Sequence, residues 1–384
     1  MSNSYKFQNM SINSHIQGNR KNKFGSIKGI LLASSFIITI AAIESCSLNG
    51  KPENETKVVH IALSGAGSTF ANPIYSKMLD EYRAQTGIET SYQSIGSSGG
   101  ITKLMNKSVD FGASDGFLSN DEMTMFGAPV VEFPTCLGAV VISYNLPGIT
   151  DLKLSPDIIA DIFLGKITKW NDPRIKAENK DVALTDQDIT VVHRSDGSGT
   201  TYVFTDYLSK VSEEWKTKVG IARSPNWPKG LASNGNEGVS GTVKLTPGAI
   251  GYIELTYAKQ KNIDFALIKN SSGKYIKASL ESASKAANVD IPVDTRISIT
   301  NSNVEDAYPI STFTWIIVYK EQSYNNRDKQ QAEDLVKELN WMIHKDGQQY
   351  TQSLNYAPLP ERAIAAAENV VKSITYGGQP VLQQ

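Results

Sequence analysis

Residues 58–87 read VVHIALSGAGSTFANPIYSKMLDEYRAQTG. Val58 to Leu63 is a short β-rich run, Ser64-Gly65-Ala66-Gly67-Ser68-Thr69 is a glycine loop, and Phe70, Ile74, Met78 and Tyr82 then recur at helical spacing. Pro73 is tolerable in a first turn and Gly87 is a stop, so the stretch predicts strand, glycine loop, helix. The same plan follows at once: Thr90 to Ile95 is strand-like, Gly96-Ser97-Ser98-Gly99-Gly100 a loop, and ITKLMNKS a short helix. It returns in Ile189 to Arg194, Ser195-Asp196-Gly197-Ser198-Gly199 and TTYVFTDYLSKV, where Tyr202, Val203, Tyr207 and Leu208 are spaced for one buried face. Strands alternating with helices predict an α/β fold with mostly parallel or mixed sheets. In such sheets ligands bind beyond the carboxyl ends of the strands, where these three loops would lie.

Further along the chain, Phe313 to Tyr319 is an apolar strand, and Lys329 to His344 an amphipathic helix with Ala332, Leu335, Val336, Leu339 and Met342 on one side. Cys136 falls in FPTCLGAVVISYN, a strand-like run in which a buried structural thiol is expected; no His stands near it to suggest a metal site. No repeat of solenoid period and no low-complexity tract interrupts the pattern.

The chain has 384 residues, 40% hydrophobic and 20% charged, with two Cys, which gives room for two domains and excludes a disulfide scaffold or a disordered chain. With 38 Lys+Arg against 39 Asp+Glu, the charge balance argues against a nucleic-acid-binding protein. The charge is uneven: residues 1–45 hold Lys6, Arg20, Lys21, Lys23 and Lys28 against Glu44 alone, a net +4 that leaves −5 for the rest of a chain whose formal charge is −1. Behind the basic cluster, Ile27 to Ile43 reads IKGILLASSFIITIAAI, which matches the apolar region of an export signal. Ile43-Glu44-Ser45-Cys46 is similar to the end of a bacterial lipoprotein signal, where the Cys is acylated and becomes the mature N-terminus. Glu44 departs from that pattern, so cleavage by an ordinary signal peptidase or a retained N-terminal anchor stand as alternatives. Residues 46–57, with the polar Lys51 to Lys57, read as a tether, and the globular body starts at about Val58.

Three glycine-rich helix starts suggest one small oxyanion held from several sides. A helix N-terminus presents unpaired N–H groups and a partial positive charge, glycine lets the backbone approach, and Ser and Thr add hydroxyls. Each loop alone is as well read as a cap. None spells G-x-x-x-x-G-K-[ST] or a properly placed G-x-G-x-x-G, which argues against nucleotide binding. Asp196-Gly197-Ser198-Gly199-Thr200 lacks the G-x-S-x-G elbow, and the chain has only four His, which argues against a serine nucleophile. Arg194, at a strand end beside the third loop, has a fork that could take two oxygens of a tetrahedral anion; its alternative is a surface pair with Asp196.

Six segments, Gly65 to Phe70, Ile95 to Gly100, Val109 to Asp115, Leu164 to Trp170, Arg194 to Thr200 and Pro247 to Tyr252, closely resemble the phosphate-binding protein, the substrate-binding subunit, of bacterial phosphate ABC transporters. The match runs in order from about His60 to the C-terminus. The resemblance implies a two-domain periplasmic-binding-protein fold of type II, hinged, with the ligand in the interdomain cleft. Residues 58–144 with 313–384 would form domain I, and 145–312 domain II. By matching position, inorganic phosphate would be bound by Thr69, Phe70, Ser97, Asp115, Arg194, Ser198, Gly199 and Thr200, with Asp196 orienting Arg194. Asp115 would accept the proton that phosphate keeps near neutral pH and sulfate lacks, so selectivity would come from repulsion of the wrong anion. The expected protein is a non-enzymatic, monomeric receptor without cofactor or metal, exported to the periplasm or cell surface and lipid-anchored at Cys46. It would deliver phosphate to the membrane permease subunits of the transporter. A receptor for another tetrahedral oxyanion, a phosphohydrolase, and a surface adhesion or signalling role are the alternatives. At a mature charge near −5, affinity would rest on local dipoles and hydrogen bonds rather than on long-range steering.

Overall fold

The small residues of Leu63–Gly67 (β1) form the first strand of a central sheet in the computed structural model, which describes residues 62–382. The export segment, Cys46, the tether and the start of the first expected strand lie outside the described residues. The helix that follows, Asn72–Thr86 (α1), has Pro73 in its first turn and ends where Gly87 adopts a left-handed φ of 78° and returns its N–H to Arg83 O. It buries Ile74, Tyr75, Met78, Leu79 and Tyr82, one face at helical spacing. The strand Thr90–Ser94 (β2) leads into Ser97–Met105 (α2), which starts four residues earlier than the sequence suggests. The supposed loop Ser97 to Gly100 is the helix's first turn. A Cβ on Gly100 would lie 2.3 Å from Ala66 O, so glycine is there to let α2 pack on β1, not to form a flexible loop.

Phe111–Ser114 (β3) and Val130–Tyr144 (β4) complete the first part of the sheet. Further on come Thr190–Arg194 (β5), the helix Gly199–Val211 (α3), Leu231–Ser233 (β6), the helix Gly235–Leu245 (α4), Ala249–Glu254 (β7) and Ser311–Tyr319 (β8). Together the strands form one eight-stranded mixed sheet in the order β2-β1-β3-β8-β4-β7-β5-β6. β1 runs parallel to β2 and β3, and β5 parallel to β6 and β7. The antiparallel pairs are β8 with β3 and β4, and β4 with β7.

β4 is the common member. Its residues up to Ala139 pair with β8, and from Val140 to Tyr144 with β7, so the partner changes inside an unbroken 15-residue strand. Thr135 is an extra residue in the β8 ladder, since Thr314 faces Cys136 while Trp315 faces Pro134. The bulge coincides with a proline that has no N–H to give the ladder. Cys136 is fully buried and free, and burial pushes its thiol pKa up, as expected of a structural thiol.

α3 differs from its expected single buried face. It is buried along its length from Gly199 to Ser209, apart from the half-exposed Tyr202, because Phe163 packs on Phe204 at 4.7 Å between ring centroids while Tyr252 stacks on that ring at 4.5 Å. Lys329–Ile343 (α5) buries Ala332, Leu335, Val336, Leu339 and Met342, the face read from the sequence. Trp170, in the segment Leu164 to Trp170, is fully buried and its indole N–H donates to Gly248 O at 3.0 Å, which ties that segment to the turn before β7. Among the described residues no helix is long and apolar enough to cross a membrane.

Leu339→Ala should lower the unfolding free energy by about 2–5 kcal/mol, because it empties a fully buried site on α5. Lys337→Ala, on the exposed side of the same helix, should change it by less than about 0.5 kcal/mol. Urea titration of both variants measures the contrast.

Candidate functional site

Asp115 follows β3 directly and is 1% exposed. A buried carboxylate needs donors, and these come from separate parts of the fold. Ser68, just past β1, donates its hydroxyl to Oδ1, and Thr314 in β8 donates to the same oxygen at 3.0 Å. Oδ2 has only a long contact, from the Thr200 hydroxyl at 3.4 Å. The backbone N–H of Asp115 donates to Ser97 Oγ at 3.4 Å, and its carbonyl accepts from Thr312 at 3.0 Å. Burial pushes the Asp115 pKa up to about 6, against the lowering effect of the Ser68 and Thr314 hydroxyls and the charge of Arg194.

Arg194 ends β5 and is 3% exposed. Its Nε donates to Asp196 Oδ1 at 2.7 Å and its Nη2 to Oδ2, a two-point pair that fixes the plane of the guanidinium. Gly235, at the start of α4, donates its N–H to Asp196 Oδ1 at 3.0 Å. Burial raises the Asp196 pKa, but the Arg194 bonds outweigh it and the net shift is downward. With that side of the fork occupied, Nη1 turns to Thr200 Oγ1 at 3.4 Å. Thr200 therefore stands between the guanidinium and Asp115.

The start of α3 supplies the amides. Ser198 caps it, its Oγ accepting from Thr201 N at 3.0 Å, which leaves its own hydroxyl hydrogen to give elsewhere. The N–H groups of Gly199 and Thr200 are orphaned by their place in the first turn, and with that of Phe70 they find no acceptor among the described residues. Gly199 is required by closeness: a Cβ there would lie 2.4 Å from Ser97 Oγ and 2.6 Å from Asp115 N. The loops also touch where Ser98 N donates to Gly197 O at 3.0 Å.

The structure thus brings Thr69, Phe70, Ser97, Asp115, Arg194, Asp196, Ser198, Gly199 and Thr200 into one largely buried cluster that holds hydroxyl and amide donors, one guanidinium and two carboxylates, of which Asp196 is paired with Arg194 and Asp115 is not. Such a set can bind a small oxyanion that still carries a proton. Cys46 lies outside the described residues. Among the described residues no group of three or more His, Cys, Asp and Glu is placed to hold a metal.

The sequence model of the PBP superfamily domain matches residues 49–344. The phosphate-binding protein PstS of Xylella fastidiosa is 40% identical over 322 residues, which cover 83% of this chain and 86% of that protein. The chain belongs to the PstS family of phosphate-binding proteins. The phosphate-binding protein PstS of Methanocaldococcus jannaschii is a further PstS relative, 33% identical over 91% of this chain and 96% of its own. A high affinity periplasmic phosphate-binding protein solved with phosphate at pH 8.5 shares the fold, with a TM-score of 0.65 at 20% identity, covering 83% of this chain and 97% of the other. So does the phosphate binding protein from Stenotrophomonas maltophilia, with a TM-score of 0.60 at 17% identity over 80% of this chain and 92% of the other. The PstS fold here is the two-domain type II periplasmic-binding architecture expected from the sequence.

Several residues that touch this PstS site were not singled out from the sequence, among them Ser68, Thr314, Tyr252 and Asn236. Ser68 sits inside the quoted glycine loop, one position before Thr69, and was legible there as a hydroxyl. Thr314 reads only as a strand residue. Tyr252, in the Pro247 to Tyr252 segment, accepts from Arg194 N at 3.1 Å. Asn236 is fully buried and reaches the hydroxyls of Thr69 and Thr200. It opens another glycine-containing helix start, Asn234-Gly235-Asn236, which was the available signal.

The Asp115 shift has a consequence for stability. Its folded pKa of about 6 lies above the ordinary 3.8, so folding favours the protonated acid. This group's contribution is most favourable below about pH 4 and is lost as pH rises through 6, by up to about 3 kcal/mol. In phosphate-free buffer, Asp115→Asn should therefore be more stable than the parent at pH 7, with the gap closing by pH 4. Thermal melts across that range measure it; a gap independent of pH would contradict the burial of charge at Asp115.

Proposed function

We propose that the chain is an extracytoplasmic receptor that captures inorganic phosphate and hands it to the membrane permease subunits of a phosphate ABC transporter, and that it is not an enzyme. The observation that carries this reading is the presence, within one cluster, of the Asp196-paired Arg194 and of a separate carboxylate, Asp115, that has an oxygen to spare. Asp115 Oδ1 is filled by Ser68 and Thr314, whereas Oδ2 has only the long Thr200 contact, so Oδ2 is the atom that accepts the proton of bound phosphate. Sulfate would set a second unprotonated oxygen against it, and a buried acceptor without a donor costs about 1–3 kcal/mol, more when charged. Arg194 Nη1, the hydroxyls of Thr69, Ser97, Ser198 and Thr200, and the amides of Phe70 and Gly199 donate to the remaining oxygens. PstS relatives named as phosphate-binding proteins support this choice of anion over sulfate-like ones.

The two groups of donors lie on opposite sides of the β4 partner change. Residues 58–144 with 313–384 act as one domain and 145–312 as the other, hinged where the chain crosses between them near Tyr144-Asn145 and near Ile310-Ser311-Thr312, and closing on the anion. The close approach of Gly199 to Ser97 and Asp115 supports a site completed by closure. The receptor works as a monomer, exported by the N-terminal segment and held at a membrane through a lipid on Cys46. The basic and apolar pattern of residues 1–45 and the following Cys46 support export and anchoring.

Calorimetric titration of the chain, freed of carried-over phosphate by unfolding and refolding, should give tight one-to-one phosphate binding and no heat from sulfate at neutral pH. Arg194→Ala should weaken phosphate by about 100-fold or more, since it removes a charge-assisted donor and leaves Asp196 unpaired. In Asp115→Asn the sulfate affinity should rise while phosphate falls, because an amide donates to an unprotonated oxygen. Folded protein that ignores phosphate would overturn the receptor reading, and unaltered exclusion of sulfate by Asp115→Asn would overturn the proton-acceptor role.

A further inference from the structure

Asn236 sits in the first turn of α4 with none of its surface exposed, and its bonds have a fixed direction. Glu254 N donates to Asn236 Oδ1 at 2.9 Å. A backbone N–H cannot accept, so the amide is oriented with Nδ2 on the other side, toward the site. From there Nδ2 donates to Thr69 Oγ1 at 2.9 Å and to Thr200 Oγ1 at 3.1 Å. The backbone N–H of Asn236 reaches Thr69 Oγ1 as well, at 3.3 Å.

A threonine hydroxyl has two lone pairs and one hydrogen. Both lone pairs of Thr69 are taken by Asn236, and its hydrogen has no acceptor among the described residues. The lone pairs of Thr200 are taken by Asn236 Nδ2 and, at 3.4 Å, by Arg194 Nη1; its hydrogen has only the long contact to Asp115 Oδ2. We propose that Asn236 is a positioning residue of the anion site: by filling the acceptor capacity of Thr69 and Thr200, it commits both hydroxyls to donate to the anion. Without it, each hydroxyl is free to turn a lone pair toward a phosphate oxygen, and binding has to impose the orientation that Asn236 supplies in advance. The same side chain spans the cleft, since Thr69 follows β1 while Thr200 and α4 belong to the part of the sheet beyond β4. This inference rests on the phosphate reading above.

The test is phosphate calorimetry on the refolded, ligand-stripped chain and on Asn236→Ala, Asn236→Asp, Thr200→Val and the Asn236→Ala/Thr200→Val pair. Asn236→Ala should bind phosphate about tenfold or more weakly. Asn236→Asp, of nearly the same volume, should bind more weakly still, because its carboxylate takes the threonine hydrogens and leaves their lone pairs facing the anion. In the Thr200→Val background the loss from Asn236→Ala should shrink by about threefold or more, since part of the role acts through that hydroxyl. A residue that merely supports the fold would give the same loss in both backgrounds, and that result would overturn the proposal. So would an Asn236→Asp variant that binds as tightly as the parent, which decides the matter if Asn236→Ala fails to fold. Absence of phosphate binding in the parent would instead remove the receptor reading; a parent that binds phosphate and an Asn236→Ala variant of equal affinity would remove this inference alone.

Discussion

Keeping a carboxylate out of water is the constraint around which the site is built. Asp115 meets it with donors from the turn after β1, from β8 and from the start of α3, and its own amide is tied to the first residue of α2. Satisfying one side chain therefore fixes four segments of the chain against each other. The partners do not fully offset the burial, which keeps the acid's pKa raised to about 6. Arg194 is governed by the opposite balance. Asp196 holds two faces of its fork and is itself held by Gly235, so a strong cation stays buried with one nitrogen left for other work.

Much of this was legible from local pattern. The strand, loop and helix of residues 58–87 survive in order but shifted along the chain: Ser64 to Gly67, expected as loop, are strand β1, the helix starts at Asn72, and Val58 to Ile61 lie outside the described residues. The apolar spacing of α5 predicts the face it buries. What local pattern misjudged was the work done by glycine. Ser97 to Gly100 has the composition of a loop, yet it is a helical turn, and at Gly100 the helix pressed onto β1 has no room for a side chain. α3 has spacing for one buried face and is covered nearly all round, since aromatic neighbours arrive from residues distant in sequence. The helix start at Asn234-Gly235-Asn236 is visible in the sequence, but the bonding of Asn236 is hidden for the same reason. An Asn after Asn-Gly reads as a turn, and its meaning depends on the Glu254 N–H that orients it from 18 residues away.

The cluster is also braced from outside. Arg223 donates to Gly116 O at 2.7 Å and to Phe117 O at 3.0 Å, pairs with Glu122, and stacks its guanidinium over the Tyr202 ring. Its own carbonyl accepts from Ser198 N at 3.0 Å. One residue thereby connects the chain just after Asp115 to the cap of α3. Charge and backbone position are coupled there, so a shift in either segment is felt by the other.

The insertion of β8 between β3 and β4 has a consequence for the order in which the molecule can be made. β3 ends at Ser114 and β4 at Tyr144, but the strand that joins them starts only at Ser311. As the chain emerges from N- to C-terminus, the edges of β3 and of most of β4 stay open until nearly all of it exists. Open apolar edges recruit other strands, and contacts this distant in sequence form slowly. The last segments of the chain therefore act as a lock on the first, and a nascent chain that stalls before Ser311 exposes a sheet with a missing centre.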